Sequence, residues 1–173
     1  MRTIVKATLV LALLAGVATA RAHAQNSDFI TARATVLTPL SVVGDADLDF
    51  GNVFPGVPAT VAVTDPTAGH FSVTGADNAG VDITFALPAN LSDGAPGNLL
   101  PIGSWTGVHN TTNSAAGGTA FTPSAAVEVS RLSTGATPGE LYVFVGATVT
   151  PAGTQPAGVY TAPVTMTVVY NGT

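Results

Sequence analysis

An all-β, antiparallel sandwich is the fold class this sequence predicts, and three observations predict it. From residue 29 onward apolar residues recur with a period of two and almost never with the 3.6 of a helix. The alternating runs are rich in Val, Ile, Thr and Phe, and clusters of Gly, Pro, Asn and Asp separate them at short intervals. Composition points the same way, with 19 Gly and 12 Pro to punctuate the chain and no cysteine to cross-link it. The count expected is about eight strands, within a range of roughly seven to nine.

The elements follow in chain order. Arg2 and Lys6 place positive charge ahead of an apolar run over residues 7–20, and Ala22-His23-Ala24 has the small-residue form of a cleavage site. Residues 1–24 therefore read as a Sec-type signal peptide, with cleavage between residues 20 and 24. The run is shorter than the roughly 20 residues a spanning helix needs, and no second apolar stretch of that kind follows. Export through the periplasm to the cell surface or beyond is the expected localisation, with one domain over residues 25–173.

The next segment, residues 29–37, alternates Ile30, Ala32, Ala34 and Val36 with Thr31, Arg33, Thr35 and Leu37. It reads as a strand, either the first of its own domain or one free to leave it. Residues 40–43, 48–50, 60–64 and 70–74 are short strand candidates. Stronger is the row Val81, Ile83, Phe85 and Leu87, separated by Asp82, Thr84 and Ala86. Residues 110–119, rich in Thr, Asn, Ser, Ala and Gly, read as one long exposed loop. Residues 127–132 form another short candidate. Leu141, Val143, Val145, Ala147 and Val149 line one face of a second central strand. In the last run Tyr160, Ala162, Val164, Met166, Val168 and Tyr170 share a face, and Pro163, which has no N–H to give a ladder, puts that part of the strand at an edge or a bulge.

Charge excludes several function classes. Without residues 1–24 the chain has 149 of its 173 residues and keeps only Arg33 and Arg131 against ten carboxylates, a net charge of −8 with no lysine. Phosphate backbones and anionic lipid both call for clustered cations, so no nucleic-acid partner and no membrane-surface docking are expected. The remaining histidines, His70 and His109, cannot assemble the usual zinc donor sets without cysteine. His70 reads as an exposed strand-end residue. The string Gly103-Ser104-Trp105-Thr106-Gly107 lacks the spacing of a nucleophile elbow, and there is no glycine-rich phosphate loop. No catalytic residue, no enzyme activity and no cofactor are expected.

Two features remain as candidate sites. Asp45, Asp47 and Asp49 alternate and would share one face of an extended strand, so they are weak candidates for calcium, although the spacing is not that of an EF-hand. The alternative is a solvated strand face with Leu48 and Phe50 turned inward. Trp105, Tyr142 and Tyr160 are aromatic enough to stack on a sugar, with core packing as the plainer reading. A self-contained surface module binding glycan or calcium through loops such as residues 99–119 is the alternative function on this basis.

The edge-strand pattern leads further. An unprotected sheet edge invites another strand, and residues 30–36 have the alternation that strand addition uses, main-chain hydrogen bonds with side chains seated in alternate pockets. The small Ala32 and Ala34 suit shallow pockets. Leu48-Asp49-Phe50-Gly51, then Gly158-Val159-Tyr160 leading into Val164-Thr165-Met166-Thr167-Val168-Val169-Tyr170, resembles the spore coat protein U and archaic chaperone-usher pilin group. It is closer still to a cysteine-free family of small secreted proteobacterial domains of uncharacterised function. The resemblance spans residues 29–171. It implies an immunoglobulin-like, pilin-like sandwich left incomplete, and a fimbrial, cell-adhesion type of fibre subunit. Such a subunit polymerises by donor-strand complementation, through Ile30, Ala32, Ala34 and Val36. The strand carrying Tyr160, Val164, Met166, Val168 and Tyr170 would meet the chaperone or the neighbouring subunit. Related pilin subunits, a periplasmic chaperone and an outer-membrane usher are the implied partners. The chain departs from the pilin pattern in lacking cysteine, in its short N-terminal extension and in the three residues after Tyr170.

Overall fold

The computed structural model describes residues 26–36, 38–134 and 138–172, so the signal peptide expected over residues 1–24 lies outside the described residues, as does Leu37. Ten strands and no helix occur among them: β1 (Ser41–Ala46), β2 (Ala59–Val61), β3 (Gly69–Thr74), β4 (Gly80–Ala86), β5 (Asn90–Ser92), β6 (Leu99–Asn110), β7 (Thr119–Phe121), β8 (Glu128–Arg131), β9 (Glu140–Val149) and β10 (Thr165–Tyr170). Every pairing is antiparallel. They form a seven-stranded sheet in the order β1-β3-β9-β6-β5, with β2 on β9 and β7 on β6, and a three-stranded sheet in the order β10-β4-β8. The fold is a β-sandwich.

The chain divides into two units, one ending at Thr35 and the body beginning at Val36. In the first, residues 26–35 carry no strand and all are exposed; Val36, at the start of the body, is exposed as well. The strand expected over residues 29–37 is therefore not formed in the described part of that segment. Alternation alone makes no strand, because each backbone N–H and C=O still needs a partner.

The two rows read most firmly from the sequence do become strands. Val81 and Ile83 are wholly buried in β4, and Leu141, Val143, Val145, Ala147 and Val149 are buried along β9. β9 is central to the large sheet: β3 and β2 lie along one side of it and β6 along the other. The main core forms where the small sheet covers this row, with Val73, Ile83, Phe85, Leu132, Val143 and Met166 in contact.

Elsewhere the strands differ from expectation. Residues 48–50 are not a strand. After β1 the chain turns, with Asp49 N–H donating to Thr67 C=O at 3.0 Å and Gly51, at φ +61°, donating to Asp49 Oδ1 at 2.8 Å. The last run is also shorter than its alternation suggests. β10 begins only at Thr165, since Pro163 cannot donate to a ladder, and before it Thr161 makes a single bridge to Ser92. β6, which begins before the expected loop 110–119 and takes its first residue, is the longest strand. Its period is hidden by Pro101, Gly103 and Gly107, by the bulge between Gly103 and Thr106, and by Ser104 at φ +50°.

Candidate functional site: an apolar groove between two open sheet edges

A three-stranded sheet cannot cover a seven-stranded one, and the uncovered part of the large sheet holds the candidate site. There Leu100, Ile102, Ala147 and Val149 form a second buried cluster. Packed against them are Leu91 of β5 and side chains from irregular segments, namely Leu48, Phe50, Val53 and Tyr160, each only partly buried. Between these segments runs a groove of about 730 Å³, lined by Leu48, Phe50, Val53, Val149, Tyr160 and Val164 among others.

The edge strand β1 borders it, as does the segment that leads into the edge strand β10. β1 pairs only with β3 and β10 only with β4, so each is the last strand of its sheet and has one side without a partner among the described residues. Gly44 and Ala46 of β1 line the groove on one side, and residues 161–164, leading into β10, line the other. All six residues of β1 are exposed, including Val42 and Val43. Backbone groups on such edges bond to water until another strand takes its place.

One wall of the groove is lightly held. Residues 156–164 are tied by Thr161, whose N–H donates to Ser92 C=O at 2.9 Å while its own C=O accepts from Ser92 N–H at 3.0 Å. Tyr160 O–H donates to the carbonyl of Pro156 at 2.9 Å, within the same segment. At the other end of β10 the chain is clamped. Tyr170 Oη accepts from Ala76 N–H at 2.6 Å and donates to Thr38 C=O at 2.7 Å, which ties three stretches of the body together.

The residues assigned to the terminal strand occupy two environments. Met166 and Val168 are buried in the main core, with Val164 and Tyr170 packed against it. With Met166 and Val168 turned into the core, β10 offers a neighbour its backbone edge and the outward Thr165, Thr167 and Val169. Tyr160 and Val164 line the groove. Of the segment assigned as a donor, Ile30 and Val36 are almost fully exposed, and Ala32 and Ala34 are exposed as well.

The aspartates do not converge. Asp45 Oδ2 lies 3.3 Å from His70 Nδ1 and its Oδ1 accepts from Ser72 Oγ at 3.3 Å, whereas Asp49 caps its own turn. No group of three or more His, Asp or Glu able to hold a metal ion occurs among the described residues. The reason is register: the strand ends at Ala46, so the alternation that would align Asp45, Asp47 and Asp49 stops after the first. His70 is not an exposed strand-end residue either. It stacks on Phe144, with ring centroids 4.5 Å apart, and its Nε2 is buried without a hydrogen-bond partner. Beside it, the Tyr142 phenol is held above its ordinary pKa, first by its hydrogen bond to Glu140 and then by burial and the nearby carboxylates. Trp105 is partly buried and packs against both core clusters.

One grouping was missed in the sequence. His109 on β6 lies between two side chains of β8, with Nδ1 3.0 Å from Ser130 Oγ and Nε2 3.3 Å from Glu128 Oε1. It borders a separate cleft of about 450 Å³ with Arg131, Asn110 and Gly118. Glu128 and Ser130 alternate on β8 and so share its inner face, where His109 ties the edge of the small sheet to the large one. Residues 19 and 21 positions apart carry no local signal of this.

Comparison with known proteins adds no relative: no family model, no curated protein and no solved structure matches the chain.

Proposed function

We propose that this protein is an exported structural subunit of a surface fibre or pilus, assembled by strand exchange between copies. Its N-terminal segment, residues 29–37, seats in the groove of a second copy and completes that copy's sandwich. The observation that carries the reading is the coincidence of a groove floored by apolar side chains with the unpaired edge of β1 beside it, in a chain whose own N-terminal segment is exposed and strandless. The alternation of Ile30, Ala32, Ala34 and Val36 suits an occupant with one face on Leu48, Phe50 and Val149 and the other in water.

Sec export, passage through the periplasm, and a chaperone that occupies the groove until assembly belong to the same reading, since an open apolar groove in transit is an aggregation hazard. The test uses the mature chain. Purified residues 25–173 should form ladders of oligomers that survive mild detergent, and a chain lacking residues 25–37 should stay monomeric. A synthetic peptide of residues 26–37 should bind the shortened chain and raise its melting temperature with increasing concentration. A mature chain that stays monomeric, with a shortened form indifferent to the peptide, would end the proposal.

A further inference from the structure

Apolar side chains fill most of the space between the two sheets, yet where β6 faces β8 three polar ones meet. Glu128 and Ser130 alternate on β8, and the His109 ring lies between them, with Nδ1 3.0 Å from Ser130 Oγ and Nε2 3.3 Å from Glu128 Oε1. The order of these contacts fixes the ring proton. A carboxylate can only accept, so Glu128 takes the N–H of Nε2, and the lone pair of Nδ1 is left facing the Ser130 hydroxyl. Phe121 packs against the same ring, with centroids 5.7 Å apart, and only 11% of the His109 side chain is exposed. The imidazole is thus held in the tautomer able to take the hydroxyl's proton.

Two further observations give this relay somewhere to act. Ser130 and His109 both line the cleft of about 450 Å³, together with the apolar Val129 and Leu141, which is room for a small ligand. The second observation is the ladder of β8. Asn171 N–H donates to Gly80 C=O at 3.1 Å, and Leu132 N–H to Ala79 C=O at 3.0 Å. In the antiparallel register the main chain of Gly80 and Asp82 therefore turns to β10, and that of Val81 and Ile83 turns to Ser130 and Glu128. The main-chain groups of Val129 and Arg131 point the other way, off β8, where no strand pairs with it among the described residues. The N–H of Arg131, which follows Ser130 in the chain and lines the same cleft, is open beside the hydroxyl. A backbone N–H directly after a nucleophilic serine is one of the donors that holds an oxyanion in acyl transfer.

We propose that Ser130, His109 and Glu128 form a hydrolytic site for short-chain carboxylic esters, separate from the groove and independent of strand exchange. Ser130 Oγ attacks the ester carbonyl carbon as its proton passes to His109 Nδ1, and the charge gathered on the carbonyl oxygen falls to the Arg131 N–H. The C–O bond to the alcohol then breaks, and the alcohol leaves with the proton from Nδ1. Water attacks the acyl-serine in turn and gives a proton to Nδ1. Ser130 Oγ regains that proton as the carboxylic acid departs, so ester and water become acid and alcohol. Ser130 and His109 are the catalytic residues. Glu128 is a positioning residue, which keeps the ring proton on Nε2 and steadies the imidazolium. The sequence hides the site because its serine stands in an edge strand instead of a glycine-flanked elbow, 21 positions from its base.

The test uses the mature chain, residues 25–173, with a fluorophosphonate probe, which loses fluoride to an activated serine, and with p-nitrophenyl butyrate as the ester. A single adduct should form on the folded chain, mapped by peptide mass spectrometry to Ser130, and none on the chain unfolded in urea. Ser130→Ala should lose the adduct, and its hydrolysis of the ester should fall to the rate of the unfolded chain. His109→Gln should slow labelling by about a thousandfold. Glu128→Gln can offer Nε2 an amide N–H, which moves the ring proton to Nδ1 and turns it against the hydroxyl, so labelling should slow by about a hundredfold while the melting temperature stays near the parent's. A histidine that merely ties the two sheets predicts no labelling of Ser130 at all. A folded parent without an adduct at Ser130 therefore overturns the proposal, whatever the variants do. So does labelling at the parent's rate in His109→Gln.

Discussion

The two halves of this sandwich are built on the same large sheet and end differently. Where β10, β4 and β8 cover it, inward side chains such as Ile83 and Val143 meet a second sheet and lose all contact with water. Past the end of the small sheet, Val149 is just as buried, but its neighbours Phe50, Val53 and Tyr160 come from irregular backbone and remain partly wet. Apolar sequence alone does not close a core. A second row of hydrogen-bonded backbone must bring side chains in at strand spacing, and on the groove side the chain does not supply one.

Core truncation probes that contrast most strongly. Ile83→Ala, in the covered half, should destabilise the body by about 3–4 kcal/mol in urea unfolding, because the cavity it leaves is walled by two sheets. Phe50→Ala, on the groove, should cost less, about 1–2 kcal/mol, since the rim is partly hydrated already and free to collapse. Equal losses at the two sites would show that the groove side is as tightly packed as the rest.

A smaller effect is expected at the Tyr170 clamp. Tyr170→Phe keeps the ring in the core but removes the acceptor for Ala76 N–H and the donor to Thr38 C=O, for a loss of about 1–2 kcal/mol. Amide exchange of Ala76 should accelerate with it. On the covered half, His109→Leu leaves Glu128 and Ser130 facing an apolar side chain, and about 1 kcal/mol should be lost, with strand β8 exchanging its amides faster than β4. The groove should be untouched by this change, so peptide 26–37 should bind the variant's shortened form as it binds the parent's.

The smallest effect is alkaline. The Tyr142 pKa is raised in the folded protein above its ordinary 10.0, so folding favours the protonated phenol. That contribution is complete below pH 10.0 and fades as pH rises through the folded value. Stability should therefore decline slightly more steeply above pH 10.0 in the parent than in Tyr142→Phe, measured by chemical denaturation across that range.

The strands that the sequence made legible were those with an unbroken period of two and β-branched or aromatic residues facing inward. Val81 to Phe85 and Leu141 to Val149 are of that kind, and both are central. β6 was illegible because Pro101, Gly103 and the bulge before Thr106 break the alternation that its pairing with β9 restores. Residues 29–36 and 48–50 show the opposite error, alternation with no neighbouring strand to use it. The aspartate series failed for a related reason, since its shared face depended on an extended backbone that stops at Ala46.

By itself the sequence determined the fold class, the central strands and the near absence of cations, because side-chain alternation and charge are properties of neighbouring residues. Tertiary structure alone decided which strands lie at the edges and where the small sheet ends. It also decided that His109 sits between Ser130 and Glu128, and that Leu48, Phe50 and Tyr160 border a groove instead of completing a core. These depend on pairings between segments far apart in the chain, and a sheet edge exists only by virtue of the partner it lacks.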